Sequence, residues 1–403
     1  MERKEELDAI FESFIRKTIF KNKLSLQINY TPETIPHREE QIKQVARILG
    51  PSLRLEKPSN LFIYGLTGTG KTLVVQYVRK ELLRKAAEQN NLLLMPYINC
   101  KLRKVADTEY RILTELIRKL GVNLPSTGLP TQHLYHRFTS LIDSRKQVLI
   151  IILDEIDQAV AKIGDEFLYN LTRLNSELNN AQISLVGISN NLKFLDSIDP
   201  RVKSSLSEEE ILFPPYNAIQ LQDILRRRAE EAFKPGVVGE GVIEKCAAYA
   251  AREHGDARRA IDLLRVSGEL AEREGKQKIE LEHVDKAREK IESDKLLASI
   301  EMQPKQFQLT LFAIFELFKK RKEKIFTGDV YSAYKEICRK LGVEVLTQRR
   351  VSDIINELDM LGLINAKVIS KGRYGRTREI NLDMNQELME KINSILVNSL
   401  NLL

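Results

Sequence analysis

The stretch NLFIYGLTGTGKTLVVQYVRKELL (residues 60–83) decides the fold of this chain. It begins with a short apolar run typical of a buried strand, and its second half has the apolar spacing of an amphipathic helix. Between them lies the pattern GxxxxGKT at residues 65–72, whose glycines let backbone N–H groups curl around phosphate oxygens. In such a loop Lys71 would reach the β- and γ-phosphates, and the hydroxyl of Thr72 would hold Mg²⁺. The sequence therefore predicts a site for ATP or ADP with Mg²⁺. The predicted nucleotide-binding residues of this loop are Gly65, Leu66, Thr67, Gly68, Thr69, Gly70, Lys71, Thr72 and Leu73.

Strand-like and helix-like segments alternate around this loop, from residue 37 to about residue 215. Strands are predicted at residues 60–65, 93–100, 148–153, 183–189 and 210–214. Amphipathic stretches separate them. Alternation of this kind is typical of a parallel sheet, in which the central strands are continuous apolar runs. We therefore predict an α/β core.

Acidic residues follow the most apolar of these strands. The segment VLIIILDEID (148–157) ends in acids, which a purely structural strand has no reason to carry there. Asp154 fits a Mg²⁺ ligand beside Thr72, and Glu155 fits a general base that polarises the attacking water. The alternative is that these acids only cap the next helix, which applies more to Asp157 than to Asp154 and Glu155.

Three further polar residues are candidates for the same site. Asn190, in GISNN, would orient the water or the γ-phosphate, unless it is only a turn asparagine. Arg258 lies near a helix start, where the macrodipole disfavours a cation, so it indicates either an external anion or a solvated helix face. Arg201, in DPRVKSSLSEEE, would act on a nucleotide across a subunit boundary or pair with the acids at 208–210.

The α/β pattern ends at FPPYN (213–217), and helical patterns follow to about residue 295. A further unit begins near residue 302. Its predicted elements are helices at 305–321, 328–341 and 348–361, followed by strands at 363–369 and 377–382. Thr327 and Thr347 are predicted N-caps, and Gly342 follows the first of these two helices as a C′ residue would. The predicted domains are 1–30 (a lead-in), 31–215 (the α/β core), 216–300 (an all-α domain) and 301–403.

The last two helices of this unit have the form of a helix-turn-helix. The second helix carries an apolar stripe that predicts its buried face: Val351, Ile354, Ile355, Leu358 and Leu361. Polar residues remain on or near its outer faces, with Thr347 at the start: Gln348, Arg349, Ser352 and Asn356. The N-terminal part of such a helix enters the major groove, where Arg and Gln make bidentate contacts with base edges.

The two strands that follow are joined by KGRYGRTRE (371–379), which holds four cations and no acid before Glu379. A winged helix has this arrangement, and its wing lies along a DNA backbone or places an arginine in the minor groove. The alternatives are a solvated basic hairpin and a winged helix used for protein contacts. The residues predicted to bind DNA are Gln348, Arg349, Arg350, Ser352, Lys371, Arg373, Tyr374, Arg376 and Arg378.

Composition excludes several other classes of protein. The formal charge is 63 − 56 = +7, with a pI near 9.0, which is modest for 403 residues. The three cysteines are odd in number and far apart, so they offer neither a disulfide framework nor zinc-ligand spacing. The longest aliphatic run, residues 148–153, is far shorter than the roughly 20 residues that cross a bilayer. We therefore expect a cytoplasmic protein without membrane contact, and with the predicted DNA binding we expect it to be nucleoid-associated.

Besides GLTGTGKT and LDEID, the chain carries the segments IPHREEQIKQVARIL (35–49), LFPPYN, DPRVKSSLSEEE, FKPGV, HGDARRA and TQRRVSDIINELDMLG, which are spread over nearly its whole length. It resembles the archaeal origin-recognition initiators, AAA+ ATPases related to subunits of the eukaryotic origin recognition complex and to its helicase loader. The resemblance implies an AAA+ P-loop parallel-sheet core, an all-α lid and a C-terminal winged-helix domain. Asn191 stands where relatives often have Asp.

The resemblance also implies residue roles. It assigns Asn190 as sensor 1, Arg258 as sensor 2 and Arg201 as the arginine finger. Adenine would lie against PHRE (36–39), which includes His37 and Arg38, and near Tyr216. Extra helices inserted at residues 101–124 would place three cations near DNA: Lys101, Arg103 and Lys104.

The function implied is an ATP-dependent initiator that binds double-stranded origin DNA and helps recruit or load the MCM helicase, with paralogous initiator subunits as further partners. Hydrolysis would act as a weak switch. Two other hypotheses fit the same motifs: an ATP-gated winged-helix transcriptional regulator, and an architectural DNA-binding module that holds ADP as a structural ligand.

Overall fold

A parallel sheet forms the centre of the first half of the chain. The computed structural model describes residues 18–27, 30–101, 108–124, 130–206, 208–320, 324–370, 376–382, 384 and 386–402. The strands of the sheet are β1 (Asn60–Tyr64), β2 (Leu93–Leu94), β3 (Tyr97–Asn99), β4 (Gln147–Asp154), β5 (Ala181–Ser189) and β6 (Glu208–Leu212). Their order is β2–β4–β5–β1–β6, with β3 also paired to β4, and every pairing is parallel.

The strand predicted at residues 93–100 is two short strands. Pro96 lies between β2 and β3, and proline has no N–H to donate to the ladder. Its carbonyl still accepts from the N–H of Ile152 at 2.9 Å, so the chain stays alongside β4 through the break. The other four strands lie within two residues of the predicted bounds at each end, and β6 as a whole begins and ends two residues before the predicted 210–214.

Helices cover both faces of this sheet. The helices up to residue 301 are α1 (Glu39–Leu49), α2 (Lys71–Glu88), α3 (Glu109–Lys119), α4 (Thr131–Ile142), α5 (Ile156–Ile163), α6 (Glu166–Arg173), α7 (Pro200–Leu206), α8 (Ala218–Ala232), α9 (Val242–Arg252), α10 (Ala257–Arg273) and α11 (Leu281–Glu301). Alternate residues of β4 point to opposite faces, so Leu149 and Ile151 join one apolar core while Val148 and Ile150 join another. Burial on both faces explains why β4 is a continuous aliphatic run.

The chain divides into two compact units, the first ending at Ala287 and the second beginning at Arg288. The division falls within α11. The domain boundaries predicted at residues 215 and 300 stay predictions. None of the helices in the described ranges combines the length and apolar character needed to cross a bilayer. Cys100, Cys246 and Cys338 are buried free thiols.

The loop between α9 and α10 packs directly on the segment that joins β6 to α8. Gly255 has φ +68, and a Cβ built on it would lie 2.3 Å from the carbonyl oxygen of Tyr216. Gly275 has almost the same φ, +70, but a Cβ there meets no atom within 4 Å. The two glycines therefore differ in steric contact and share the backbone conformation.

We expect Gly255→Ala to destabilise the protein more than Gly275→Ala does. The left-handed backbone costs either alanine about 1–2 kcal/mol, and the collision at residue 255 adds about 1–3 kcal/mol. Urea unfolding of both variants beside the wild type measures the difference. Equal losses of unfolding free energy in the two variants would show that the α9–α10 loop is not in close contact with Tyr216.

The second unit is a winged helix. Its elements are α12 (Lys305–Lys320), β7 (Ile325–Phe326), α13 (Thr327–Lys340), α14 (Gln348–Met360), β8 (Asn365–Ser370), β9 (Arg376–Asn381) and α15 (Gln386–Leu400). The strands form an antiparallel sheet in the order β7–β9–β8. The three predicted helices and two predicted strands are present, whereas the sequence analysis missed β7 and α15.

Helix ends in this unit follow the predictions in two places out of three. The hydroxyl of Thr347 accepts from the N–H of Arg350, which makes Thr347 the N-cap of α14. Gly342 follows α13 with φ +63. The prediction for Thr327 was wrong: Phe326 is the N-cap, and the Thr327 hydroxyl instead accepts from the N–H of Arg378 at 3.4 Å.

Four members of the predicted apolar stripe of α14 are buried: Val351, Ile354, Ile355 and Leu358. The prediction for Leu361 was wrong, because this residue lies at the C-cap and is 44% exposed. The helical spacing continues through Leu361, but α14 ends at Met360, so the stripe runs one residue past the regular helix.

Candidate nucleotide and DNA sites

The glycine-rich loop leads from β1 into α2 and borders a cavity of about 470 Å³. Residues 68–73 line this cavity. Gly68 and Gly70 have φ of +70 and +88, values that glycine adopts without the strain a side chain would bring. Because α2 begins at Lys71, its positive N-terminal end follows the loop directly, as an anion site requires. Gly65, Leu66 and Thr67 are outside the lining.

Lys71 connects the loop to the end of β5. Its Nζ donates to the carbonyls of Gly65 and Leu66 and to Oδ1 of Asn190, each at 2.8 Å. Burial lowers the pKa of Lys71 to about 8, against the opposing effect of the nearby Asp154 carboxylate. Asn190 comes within reach because β5 pairs with β1, so the carboxyl ends of these two strands lie together.

Asp154, at the end of β4, accepts two side-chain hydrogen bonds on one oxygen. Thr72 Oγ1 donates to Oδ2 at 2.8 Å, and the hydroxyl of Tyr97 donates to the same oxygen at 2.7 Å. The hydroxyl of Thr72 and the carboxylate of Asp154 are hard oxygen ligands of the kind that Mg²⁺ prefers. The donor set therefore fits this ion, and both residues stay predicted ligands.

Glu155 also lines the cavity and has φ +55, which is unusual for a residue with a side chain. Its carboxylate lies 3.7 Å from Nζ of Lys101, whose side chain is 71% exposed. Asp157 lies in the first turn of α5 and accepts from the hydroxyl of Ser189 at 2.9 Å. It does not cap α5, because Glu155 holds the N-cap position.

Helix α10 brings Arg258 into the lining of the same cavity. Asp256 is the N-cap of α10 and accepts from the N–H groups of Arg258 and Arg259. The N–H of Ala257 donates to the carbonyl of Gly68 at 3.3 Å, so the start of this helix touches the glycine-rich loop. A Cβ on Gly68 would lie 1.7 Å from Oδ1 of Asp256, and only glycine allows this approach.

Some of the residues implied to surround adenine line the cavity, and others do not. Pro36 and Tyr216 line the cavity, whereas His37, Arg38 and Glu39 are not among the residues that line it. His37 lies 3.1 Å from Oδ2 of Asp223, measured from Nε2. Arg38 is buried beneath the loop, where its Nε donates to the carbonyl of Thr69 at 2.8 Å.

Arg201 lies outside this cavity. Its side chain is 87% exposed and pairs with Asp199 at 3.0 Å. Within the described residues it does not pair with the acids at 208–210, the intramolecular partners considered from the sequence. Its role as a finger stays a prediction.

Sequence analysis missed several residues of the cavity. They are Gln27, Tyr30, Thr31, Pro32, Thr34, Ile35, Gln76, Tyr97, Asn99, Ile224, Arg227, Arg228, Glu231, Ala257 and Ile261. A signal existed for Tyr97 and Asn99, which are polar residues at the end of a strand beside β4. Gln76, Ala257 and Ile261 lie on α2 and α10 beside predicted site residues, and the rest come from segments that no local pattern connects to the site.

In the second unit, α14 presents five exposed polar residues: Gln348, Arg349, Arg350, Asp353 and Asn356. Two predicted DNA contacts bond to each other instead of pointing out separately. Arg378 Nη1 donates to both the carbonyl and the hydroxyl of Ser352 at 2.9 Å. This pair joins β9 to α14. Several other predicted DNA contacts lie outside the described residues. In the wing these are Lys371, Arg373, Tyr374 and the side chain of Arg376, and in the first unit they are Arg103 and Lys104.

Three family descriptions match consecutive parts of the chain. Residues 54–195 match the AAA domain, residues 222–289 match the Cdc6 AAA+ ATPase-type lid domain, and residues 298–392 match the CDC6 C-terminal winged helix domain. Together with the site geometry, these matches define an AAA+ P-loop ATPase with a helical lid and a winged helix. The predicted fold class is confirmed.

The chain is also similar to named relatives. It is 54% identical over 384 residues to an ORC1-type DNA replication protein of Pyrococcus furiosus, covering 94% of this chain and 91% of the relative. A Sulfurisphaera tokodaii relative, ORC1-type DNA replication protein 1, is 52% identical, with coverage of 96% and 95%. The solved Aeropyrum pernix ORC1 protein in complex with DNA has a TM-score of 0.77 and 44% identity, covering 95% of this chain and 98% of that one. The chain belongs to the family of ORC1-type DNA replication proteins, and the predicted resemblance is confirmed.

Proposed function

We propose that this protein is an ATP-dependent replication initiator that binds duplex origin DNA and helps recruit or load the MCM helicase. The observation that carries the proposal is the convergence of Lys71, Asp154, Glu155 and Arg258 on one cavity. Those residues come from separate segments of the first unit, and each supplies a group that a nucleoside triphosphate needs. The relative solved with DNA supports the DNA-binding half of the proposal.

The residues around the cavity divide the work of hydrolysis. Lys71 and Arg258 bind the phosphates, and Asn190, already bonded to Lys71, orients the attacking water. Glu155 takes the proton from that water. A bound Mg²⁺, held by Thr72 and Asp154, would supply neutralisation of phosphate charge.

Hydrolysis serves this protein as a weak switch. The start of α10 touches Gly68 and carries Arg258, so loss of the γ-phosphate removes a contact from the lid and from the loop together. Losing these contacts shifts the equilibrium between two conformations of the lid, and this switch requires no processive movement along DNA. Arg201, exposed and steadied by Asp199, is placed to reach a nucleotide in a paralogous or identical neighbouring subunit.

Helix α14 reads the bases. Gln348 and Arg349 occupy its exposed first turn, which is the part of a recognition helix that reaches base edges. Arg378 holds Ser352 and positions the wing strand against this helix. Lys371, Arg373, Tyr374 and Arg376 contact the DNA backbone or the minor groove.

We expect Arg349→Ala to weaken origin binding by about 1–3 kcal/mol, or roughly 5- to 150-fold, and to reduce discrimination against other sequences. Fluorescence anisotropy with an origin duplex and a shuffled duplex measures both effects. The control is Lys319→Ala, which removes a cation of the same unit that is bonded to Glu316 and Asn393. Equal affinities for wild type and Arg349→Ala would remove α14 from the base-reading role.

Crosslinking in cells tests the biological assignment. An initiator that is nucleoid-associated in the cytoplasm should occupy the replication start region, and its loss should reduce MCM recruitment there. Occupancy of promoters without the start region would favour the transcriptional regulator. Retention of ADP through purification with no turnover would favour the architectural module.

A further inference from the structure

Arg38 is a buried cation held by main-chain carbonyls. Its side chain is part of a residue only 2% exposed. It donates to the carbonyl of Thr69 through Nε at 2.8 Å, to that of Pro214 through Nη2 at 2.6 Å, and to that of His37 through Nη1 at 3.1 Å. Within the described residues, no carboxylate forms an ion pair with it. Burying a charge in this way is costly unless its donors are satisfied, so the position calls for an explanation.

The bond to Thr69 acts on the phosphate-binding loop. A trans peptide points its C=O and N–H in opposite directions. With the Thr69 carbonyl fixed on Arg38, the N–H of Gly70 must point away from Arg38. Gly70 lines the cavity and Arg38 is outside its lining, so this N–H faces the side on which phosphates would bind.

The bonds at the other end of Arg38 reach the segment that leads to the lid. The guanidinium carbon lies 3.8 Å from the centre of the Tyr216 ring, and Nη2 bonds the Pro214 carbonyl. The N–H of Tyr216 in turn donates to the carbonyl of Gly255 at 3.4 Å, one residue before the N-cap of α10. Arg38 therefore joins the loop to the segment against which α10 begins.

We propose that Arg38 is a positioning residue for the diphosphate of the bound nucleotide, and that it does not contact the base. It fixes the Thr69–Gly70 peptide so that the Gly70 N–H is ready to donate to a phosphate oxygen, and it adds a positive charge behind the loop. The inference deepens the proposed function and rests on its nucleotide site. Loop N–H groups cradle the α- and β-phosphates, so ADP and ATP should depend on Arg38 to the same degree.

The test compares Arg38→Lys and Arg38→Met with wild type. Lysine keeps a charge but lacks the planar fork that reaches the Thr69 and Pro214 carbonyls together. We expect Arg38→Met to raise Kd for ADP and ATP roughly 10- to 100-fold, because it removes the charge-assisted hydrogen bonds that hold the loop. The Kd of Arg38→Lys should lie between those of the wild type and Arg38→Met. Affinity for adenosine should stay within about twofold, and kcat at saturating ATP within about threefold.

Arg79→Met is the matched control. Arg79 donates from α2 to the carbonyl of Met95 at 2.7 Å, so its removal also frees a carbonyl of the first unit. We expect it to lower the melting temperature without changing Kd for ADP.

An equal rise in Kd for adenosine and ADP in the Arg38 variants would place Arg38 on the base. A stability loss in both Arg38 variants with unchanged Kd for ADP would leave it a purely structural role; either result overturns the proposal. Wild-type protein that binds no nucleotide would instead defeat the proposed function, a different and distinguishable failure.

Discussion

Glu155→Gln should lower ATP turnover by about 10²- to 10⁴-fold and leave the affinity for ATP within a few-fold of wild type. Glutamine keeps the size and shape of the side chain but cannot accept the proton of the attacking water. The partner of Glu155 is the exposed Lys101, so the substitution removes only a weak ion pair. Single-turnover hydrolysis measures the rate, and titration with a fluorescent ATP analogue measures the affinity.

Glu115→Gln is the control for this variant. Glu115 lies on α3, pairs with Arg118 and does not line the cavity, so its amide should leave turnover unchanged. Wild-type hydrolysis by Glu155→Gln would refute the assignment of Glu155 as the base. If Glu155→Gln lost ATP binding as well as turnover, the role of Glu155 would be to bind the nucleotide.

Lys71→Ala should raise Kd for ATP by about 10²- to 10³-fold, the second largest effect that we expect. A pKa of about 8 leaves the ammonium mostly protonated at pH 7, so the wild type presents a positive charge to the phosphates. Alanine removes that charge and also the bonds to Gly65, Leu66 and Asn190 that shape the loop. Isothermal titration with ATP and with ADP measures the loss.

Lys43→Ala is the matched lysine control. Lys43 is exposed on α1 and pairs with Glu40, so its removal should leave Kd for ATP unchanged. A Lys71→Ala variant that bound ATP as tightly as Lys43→Ala would mean that the phosphates lie elsewhere, and the cavity would lose its assignment.

The sequence alone predicted those parts of the site that rest on local chemistry. The strand, loop and helix around residues 60–88 follow from glycine spacing and apolar pattern, as do the acids at the end of β4. The bond between Lys71 and Asn190 does not follow from spacing. It depends on β5 lying beside β1, and strand order is a property of the tertiary fold.

What the sequence could not predict are contacts between distant backbone segments. The hydrogen bond between the N–H of Ala257, at the start of α10, and the carbonyl of Gly68 corresponds to no sequence pattern in either segment. Arg38 was expected beside adenine, and its place under the loop became visible only from the carbonyls around it. Likewise, Arg378 was predicted to bind DNA from the wing, and no sequence pattern indicated its hydrogen bond to Ser352.

The central claim is that one chain couples a nucleotide site to recognition of the replication start region. The most direct measurement is the affinity of purified protein for a duplex from that region and for a shuffled duplex, at one stated salt concentration, with and without ATP and Mg²⁺. We expect the ATP-bound protein to prefer the start region by about 10³-fold or more. Equal affinity for the two duplexes under both conditions would contradict the claim.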